Sequence, residues 1–174
     1  MCIRDRDKGG IPMIWKTGHS LIKAKMKEES ALLAGEMSGH TFFSDRWYGF
    51  DDGLYAGARL LEILSKYDNP SEVLEALPKG FSTPEINISL NEGEQHKLIE
   101  KLQIEAKFEN AIEIIMIDGL RVEYKNGFGL MRASNTTPVI VLRFEADTAD
   151  MLEKIKNDFK KNLSKYLPIN KITF

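Results

Sequence analysis

Two turn signals leave the C-terminal half of this chain little conformational freedom. Asp118-Gly119 and Asn126-Gly127 are both hairpin dipeptides. Between them, Leu120-Arg121-Val122-Glu123-Tyr124 alternates apolar and polar side chains, as a half-buried strand does. Ile112 to Ile117 reads as the strand before, and Gly129 to Ala133 and Val139 to Phe144 read as strands around a polar turn, Ser134 to Pro138. A chain that reverses at such short intervals forms antiparallel neighbours. The period then changes to that of a helix on both sides: Leu98, Ile99 and Leu102 share one face of Gly93 to Gln103, and Leu152, Ile155, Phe159, Leu163 and Tyr166 mark a long amphipathic helix. Helix, meander, helix predicts an α+β domain over 79–174, an antiparallel sheet flanked by helices.

The preceding segment, 9–78, reads differently, as an α/β partial domain of strand-helix-strand-helix order. Pro12-Met13-Ile14-Trp15 predicts a buried strand that ends at Gly18, and His19 to Ser30 a helix carrying Ile22 and Met26. Ala31-Leu32-Leu33-Ala34 predicts a second strand, which delivers the loop Gly35–His40. The aromatic-rich run from Thr41 to Phe50 reads as core or domain interface. Asp51-Asp52-Gly53 places acids at a helix start, followed by a stripe of Leu54, Ala58, Leu61 and Leu64, and Pro70 opens a further short helix. Pro78-Lys79-Gly80 and Ser82-Thr83-Pro84 bracket the expected linker. Residues 1–8 have neither helical nor strand periodicity. Met-Cys-Ile-Arg-Asp-Arg resembles a translated sequencing-adapter scar, so 1–8 read as a non-native or disordered leader.

The bulk balance narrows the partners. A net charge of −2 with no basic block argues against a non-specific nucleic-acid binder. No apolar run approaches the roughly 20 residues of a membrane span, so no membrane partner is expected. The single cysteine, Cys2, cannot form an internal disulfide, which fits a reducing cytoplasm.

Two short loops carry chemistry. Gly35-Glu36-Met37-Ser38-Gly39-His40 packs a carboxylate, a hydroxyl and an imidazole between glycines, the surface that a polyol needs. Arg132-Ala133-Ser134-Asn135-Thr136-Thr137-Pro138 packs a guanidinium, hydroxyls, an amide and turn N–H groups into one short turn, the surface that a phosphate dianion needs. On spacing alone each loop is also an ordinary polar turn. The serine-hydrolase elbow fails, because Glu36 stands where it requires glycine. No paired His or Cys motif supports a metal site, so no metal ligand is read from Glu36, His19 and His40. His19 follows Lys16-Thr17-Gly18 at a strand-to-helix turn, where free N–H groups attract anions or where it is simply part of a helix start.

The run Gly9 to Ser20, Gly35-Glu36-Met37-Ser38-Gly39-His40, Arg46-Trp47-Tyr48-Gly49-Phe50-Asp51-Asp52-Gly53, Arg132 to Pro138 and Arg143-Phe144-Glu145-Ala146 occur in an order that resembles the bacterial phosphomannomutase/phosphoglucomutase family, of the α-D-phosphohexomutase superfamily. The resemblance implies a C-terminal fragment holding most of domain 3, at 9–78, and all of domain 4, at 79–174. It implies an isomerase that exchanges phosphate between the 1- and 6-positions of mannose or glucose. A phosphoserine is the donor, hexose 1,6-bisphosphate the intermediate, and magnesium balances charge on the transferring group. It assigns Glu36 and Ser38 to the sugar hydroxyls, and His19 and His40 to the substrate's flank, one of them assisting proton transfer. It assigns Arg132, Ser134, Asn135 and Thr136 to the phosphate that is not being transferred. No Ser-His phosphoserine loop and no aspartate metal cluster occurs in this sequence. The chain alone is therefore expected to be inactive, its partners being a phosphosugar and the missing N-terminal domains of the same protein. Phosphoglucosamine mutase, a glucose-only phosphoglucomutase and an inert phosphosugar-binding module are the alternatives. Residues 9–78, lacking sheet partners, are expected to expose an apolar edge.

Overall fold

A sheet whose helices lie on one face fills the second of the two units into which the chain divides, Met1–Leu77 and Pro78–Phe174. The computed structural model describes residues 8–77 and 79–174. The expected leader falls almost wholly outside the described residues, as does Pro78.

In the first unit, α1 (His19–Glu29) ends at Ser30, whose left-handed backbone, φ 54°, closes the helix. A hairpin follows, β1 (Leu33–Gly35) paired antiparallel with β2 (Thr41–Phe43), then α2 (Gly53–Leu64) and α3 (Pro70–Glu75). Asp52 caps α2 by accepting from the Tyr55 N–H, and Asn69 caps α3 by accepting from the Ser71 N–H. The strand expected over Pro12–Trp15 does not form, and the element order is helix, hairpin, helix, helix. A strand is defined by a hydrogen-bonded neighbour, and among the described residues none pairs with this segment. The next strand starts two residues later than expected and ends one later, at Leu33–Gly35.

Burial in this unit is small. Among its described residues, Ile22, Met26 and Phe42 are the buried apolar side chains, with Ala31 and Ala34 against them. The stripe expected on α2 has the right period but buries nothing within the unit: Leu54 is 90% and Leu61 67% exposed. Of the aromatic run, Phe42 is core, while Trp47, Tyr48 and Phe50 are exposed.

The second unit matches the expected helix, meander, helix. Its strands are β3 (Phe81–Ser82), β4 (Ile86–Ser89), β5 (Glu113–Ile115), β6 (Leu120–Tyr124), β7 (Gly127–Ala133) and β8 (Val139–Ala146), with α4 (Glu94–Glu105) before β5 and α5 (Ala149–Leu163) after β8. The sheet is antiparallel, in the order β3-β8-β7-β6-β5, and β4 also pairs with β8. β3 and β4 therefore occupy successive stretches of one edge of β8. Thr83 bridges the break: its N–H donates to Phe144 O at 3.0 Å and its hydroxyl accepts from the Phe144 N–H at 3.2 Å. The Ser82-Thr83-Pro84 part of the expected linker is thus sheet edge, with Pro84 just beyond β3, where no ladder donor is needed.

The alternation read in Leu120–Tyr124 holds residue by residue, with Leu120, Val122 and Tyr124 buried. They join Met131, Leu142, Phe144 and the faces of α4 and α5 in one core. The turn at Asn126-Gly127 has a different register from the one its dipeptide predicts. Tyr124 pairs with Gly127, so Lys125 and Asn126 make the turn and Gly127 opens β7. The glycine serves a close approach, since a Cβ there would lie 2.4 Å from Glu145 O. At Gly129 the same holds with α5: a Cβ would meet the Phe159 ring at 2.3 Å and Ile155 Cγ2 at 3.1 Å. Farther along α5, buried Asn162 accepts from the Lys107 N–H at 3.1 Å and donates to Lys107 O at 2.9 Å, which fixes the chain leaving α4. The Tyr124 hydroxyl donates to Asp158 Oδ2 at 3.2 Å.

Three outcomes are expected. Limited proteolysis should leave a product starting near Gly80 and reaching the C-terminus, because the second unit has the larger core; equal survival of both halves would contradict that. Gly129→Ala should destabilise the second unit by about 1–3 kcal/mol in urea melts, the usual cost of overpacking. Burial, and after it the Asp158 carboxylate, pushes the Tyr124 phenol above its ordinary range. Above pH about 10 the unfolded tyrosine loses its proton while the folded one keeps it, so stability falls as pH rises. Tyr124→Phe should flatten that alkaline slope.

Candidate functional site

The first loop is the tip of the β1–β2 hairpin. Beyond the last strand pair, Gly35 with Thr41, the Glu36 N–H donates to His40 O at 2.8 Å and the Gly39 N–H to Glu36 O at 3.0 Å. Gly39, at φ 99°, takes a conformation that an L side chain resists, so the chain reverses within four residues.

Both carboxylate oxygens of Glu36 are engaged. Oε1 accepts from the Gly18 N–H at 3.0 Å, and Oε2 accepts from the Ser38 hydroxyl at 3.2 Å. Gly18 is the N-cap of α1 and has no side chain to offer. A carboxylate at that position also meets the positive end of the helix. Glu36 thus ties the hairpin tip to the turn that carries His19. His19 is the first residue of α1, exposed, with Nδ1 3.4 Å from Ser20 Oγ. Each Glu36 oxygen keeps further lone-pair capacity, so the residue can accept from a ligand hydroxyl while holding its loop.

His40 Nδ1 lies 2.6 Å from Asp51 Oδ2. Sequence reading placed Asp51 among the acids at a helix start. The cap is in fact Asp52 alone, and Asp51 faces the hairpin. A bridge between Phe42 and Asp51 sets this arrangement, as the 44–50 loop folds back along β2. That loop is pinned on several sides. Arg46 makes a bidentate pair with Glu62 at 3.0 and 2.8 Å, which holds the Glu62 carboxyl below its ordinary range. Arg59 pairs with Asp45 at 3.1 Å, the Trp47 indole N–H donates to Asp52 Oδ2 at 3.1 Å, and Trp47 stacks on Tyr55 at 4.2 Å. The only trace of the His40–Asp51 pair in the sequence is a carboxylate at the far end of the aromatic run.

The second loop joins β7 to β8. Its backbone closes through the Ser134 N–H, donating to Val139 O at 3.0 Å. Ser134 is buried, and its hydroxyl accepts from the N–H groups of Thr136 and Thr137, both at 3.3 Å, and lies 3.0 Å from Thr137 Oγ1. Ser134 is therefore the organiser of the turn, while Asn135, Thr136 and Thr137 are exposed on its outside. Arg132 stands on β7 two residues before Ser134, half-buried, with Nη1 3.4 Å from Ala133 O.

The sequence-predicted residues thus fall into two groups, one per unit: Glu36, Ser38, His19 and His40 in the first, Arg132, Ser134, Asn135 and Thr136 in the second. Among the described residues, no three His, Cys, Asp or Glu side chains converge in a way that could hold a metal ion. No helix among the described residues is long and apolar enough to cross a membrane.

Comparison with known proteins identifies the frame to which these loops belong. The family model described as phosphoglucomutase/phosphomannomutase, alpha/beta/alpha domain III, matches residues 5–81, and that described as phosphoglucomutase/phosphomannomutase, C-terminal domain, matches residues 85–162. A phosphoglucomutase of Neisseria gonorrhoeae is 66% identical over 156 residues, which are 89% of this chain and 34% of that protein. A phosphomannomutase/phosphoglucomutase of Pseudomonas aeruginosa is 60% identical over the same shares of each. The crystal structure of a phosphoglucomutase/phosphomannomutase family protein from Burkholderia thailandensis superposes with a TM-score of 0.87 at 59% identity, covering 94% of this chain and 34% of that one. The chain spans about a third of the length of these relatives. The chain belongs to the phosphoglucomutase/phosphomannomutase family, whose domain III and C-terminal domain it represents.

Proposed function

We propose that this chain is the sugar- and phosphate-recognising part of a phosphohexomutase that interconverts the 1-phospho and 6-phospho forms of glucose and mannose. The observation that carries the reading is the pair of preorganised loops, each built around one internal acceptor: Glu36 in the hairpin tip and Ser134 in the β7–β8 turn. In this reading Glu36 and Ser38 hold vicinal hydroxyls, and His19 and His40 flank the sugar. Arg132, Ser134, Asn135 and Thr136, with the turn N–H groups, grip the phosphate that is not being transferred, and Ser134 also holds the turn in shape.

The chemical step follows the family resemblance. A phosphoserine outside this chain gives its phosphoryl group to a sugar hydroxyl, the bisphosphate turns over, and its other phosphate returns to the serine. Positioning and electrostatics carry such transfers. One socket must accept either phosphate of the intermediate in turn. A turn that reads phosphate through backbone and hydroxyl donors suits that task better than one that reads sugar stereochemistry. The expected setting is the cytoplasm, and the chain by itself is expected to lack mutase activity. The glucose-only alternative draws on the 66% identity to a relative named phosphoglucomutase alone. Parallel assays of the complete protein with glucose 1-phosphate and mannose 1-phosphate separate the two.

The test is an NMR titration of the chain. Inorganic phosphate should shift the amides of 134–137, and glucose 1-phosphate should shift these and the amides of 36–40. Arg132→Ala should weaken both ligands more than tenfold, as expected for loss of a charge-assisted contact of about 1.5–3 kcal/mol. Glu36→Gln should weaken the sugar phosphate alone. Shifts confined to neither loop would overturn the reading, and turnover of glucose 1-phosphate by the purified chain would overturn its inactivity.

A further inference from the structure

The histidine–carboxylate pair at the hairpin tip has a fixed polarity. An ionised carboxylate accepts hydrogen bonds and cannot donate them. At 2.6 Å, the contact between His40 Nδ1 and Asp51 Oδ2 therefore requires the ring proton on Nδ1. The tautomer of a neutral imidazole is set by the bond that one of its nitrogens makes, and here that leaves Nε2 with a free lone pair. The two side chains are 51% and 34% exposed, so a ligand can reach the ring.

Asp51 is held from both sides. Its backbone is bridged to Phe42, which is fully buried beneath the hairpin. The next residue, Asp52, is locked into the cap of α2 and takes the Trp47 indole N–H as well. The 44–50 loop that returns the chain to this point is braced by Arg46 with Glu62 and Arg59 with Asp45. The carboxylate reaches His40 from a backbone with little freedom to withdraw it.

We propose that Asp51 is the positioning residue for His40: it holds the Nδ1–H tautomer and aims the bare Nε2 outward. The identity of the proton donor, a hexose hydroxyl, rests on the mutase reading. As the hydroxyl oxygen bonds to phosphorus, its O–H electron pair stays on that oxygen and its proton passes to Nε2. The P–O bond to the donor phosphoserine breaks, and its electrons leave on the serine oxygen. The reverse transfer returns the proton.

The experiment uses the 174-residue chain labelled with ¹⁵N at histidine. Long-range ¹H–¹⁵N correlation in alkaline buffer reports which nitrogen of each neutral ring bears the proton. His40 should show Nδ1 at the protonated shift and Nε2 at the bare shift. Asp51→Ala should move His40 to the Nε2–H pattern, while Asp51→Asn, whose amide oxygen still accepts, should restore Nδ1–H. His19 and His96 should not respond in either variant, which reports that the fold is kept. A wild-type His40 protonated on Nε2 would overturn the proposal without need of any variant, as would an unchanged His40 in a folded Asp51→Ala chain. No sugar phosphate enters the measurement. An Nδ1–H ring in a chain whose loops ignore hexose phosphate would defeat the mutase reading alone. An Nε2–H ring in a chain that binds them would defeat the role of Asp51 alone.

Discussion

The contact of Phe159 with the bare backbone of Gly129 sets the distance between α5 and the sheet. Phe159 also packs edge-to-face on Phe144 and tilted on Phe108, so one ring touches the sheet centre, the segment after α4 and its own helix. With α5 at that height, Ile155 and Leu163 are fully buried, and Asn162 comes level with Lys107, whose backbone it satisfies. A longer side chain on β7 would lift the helix and leave the Lys107 amide and carbonyl without partners. The same strand runs on, paired with β8 as far as Ala133 and Ile140, into the Ser134 turn. The candidate phosphate loop is thus mounted on the two most extensively paired strands of the unit.

The first unit is built on different terms. Its hairpin is short, its buried cluster small, and much of its order comes from polar contacts at the surface: Lys25 with Glu28 and Glu29, Arg46 with Glu62, and Arg59 with Asp45. Exposed pairs of this kind contribute little each, and networks around a shared carboxylate such as Glu62 contribute more. Within the unit, Leu54 and Leu61 are left open to solvent, although their spacing reads as core.

Much of the second unit was legible because its signals are local. The alternation in Leu120–Tyr124 and the helical period ending at Tyr166 each report a face buried by the unit itself. Where the reading failed, the deciding contact lay far along the chain. Pro12–Trp15 has strand chemistry but no strand beside it among the described residues, and the α2 stripe has helical period but no fully buried residue. Gly127 was misread as turn chemistry because the reason for it, Glu145 O, lies on another strand. At the site, Glu36, Ser38 and Ser134 were visible as residue types, while their internal partners were not. Asp51 was visible as an acid but assigned to the wrong neighbour, because the fold-back of the 44–50 loop is decided by the Phe42 bridge and not by any spacing rule.

The internally bonded hydroxyl of Ser134 has an entropic meaning. A loop that must order itself around each arriving anion loses conformational entropy at every encounter. In the β7–β8 turn, that ordering is already supplied within the fold, by the bonds of Ser134 to Thr136 and Thr137. What remains on the outer surface is a rigid rim of donors. In the proposed function, an arriving phosphate meets those donors already in place and forfeits no loop entropy.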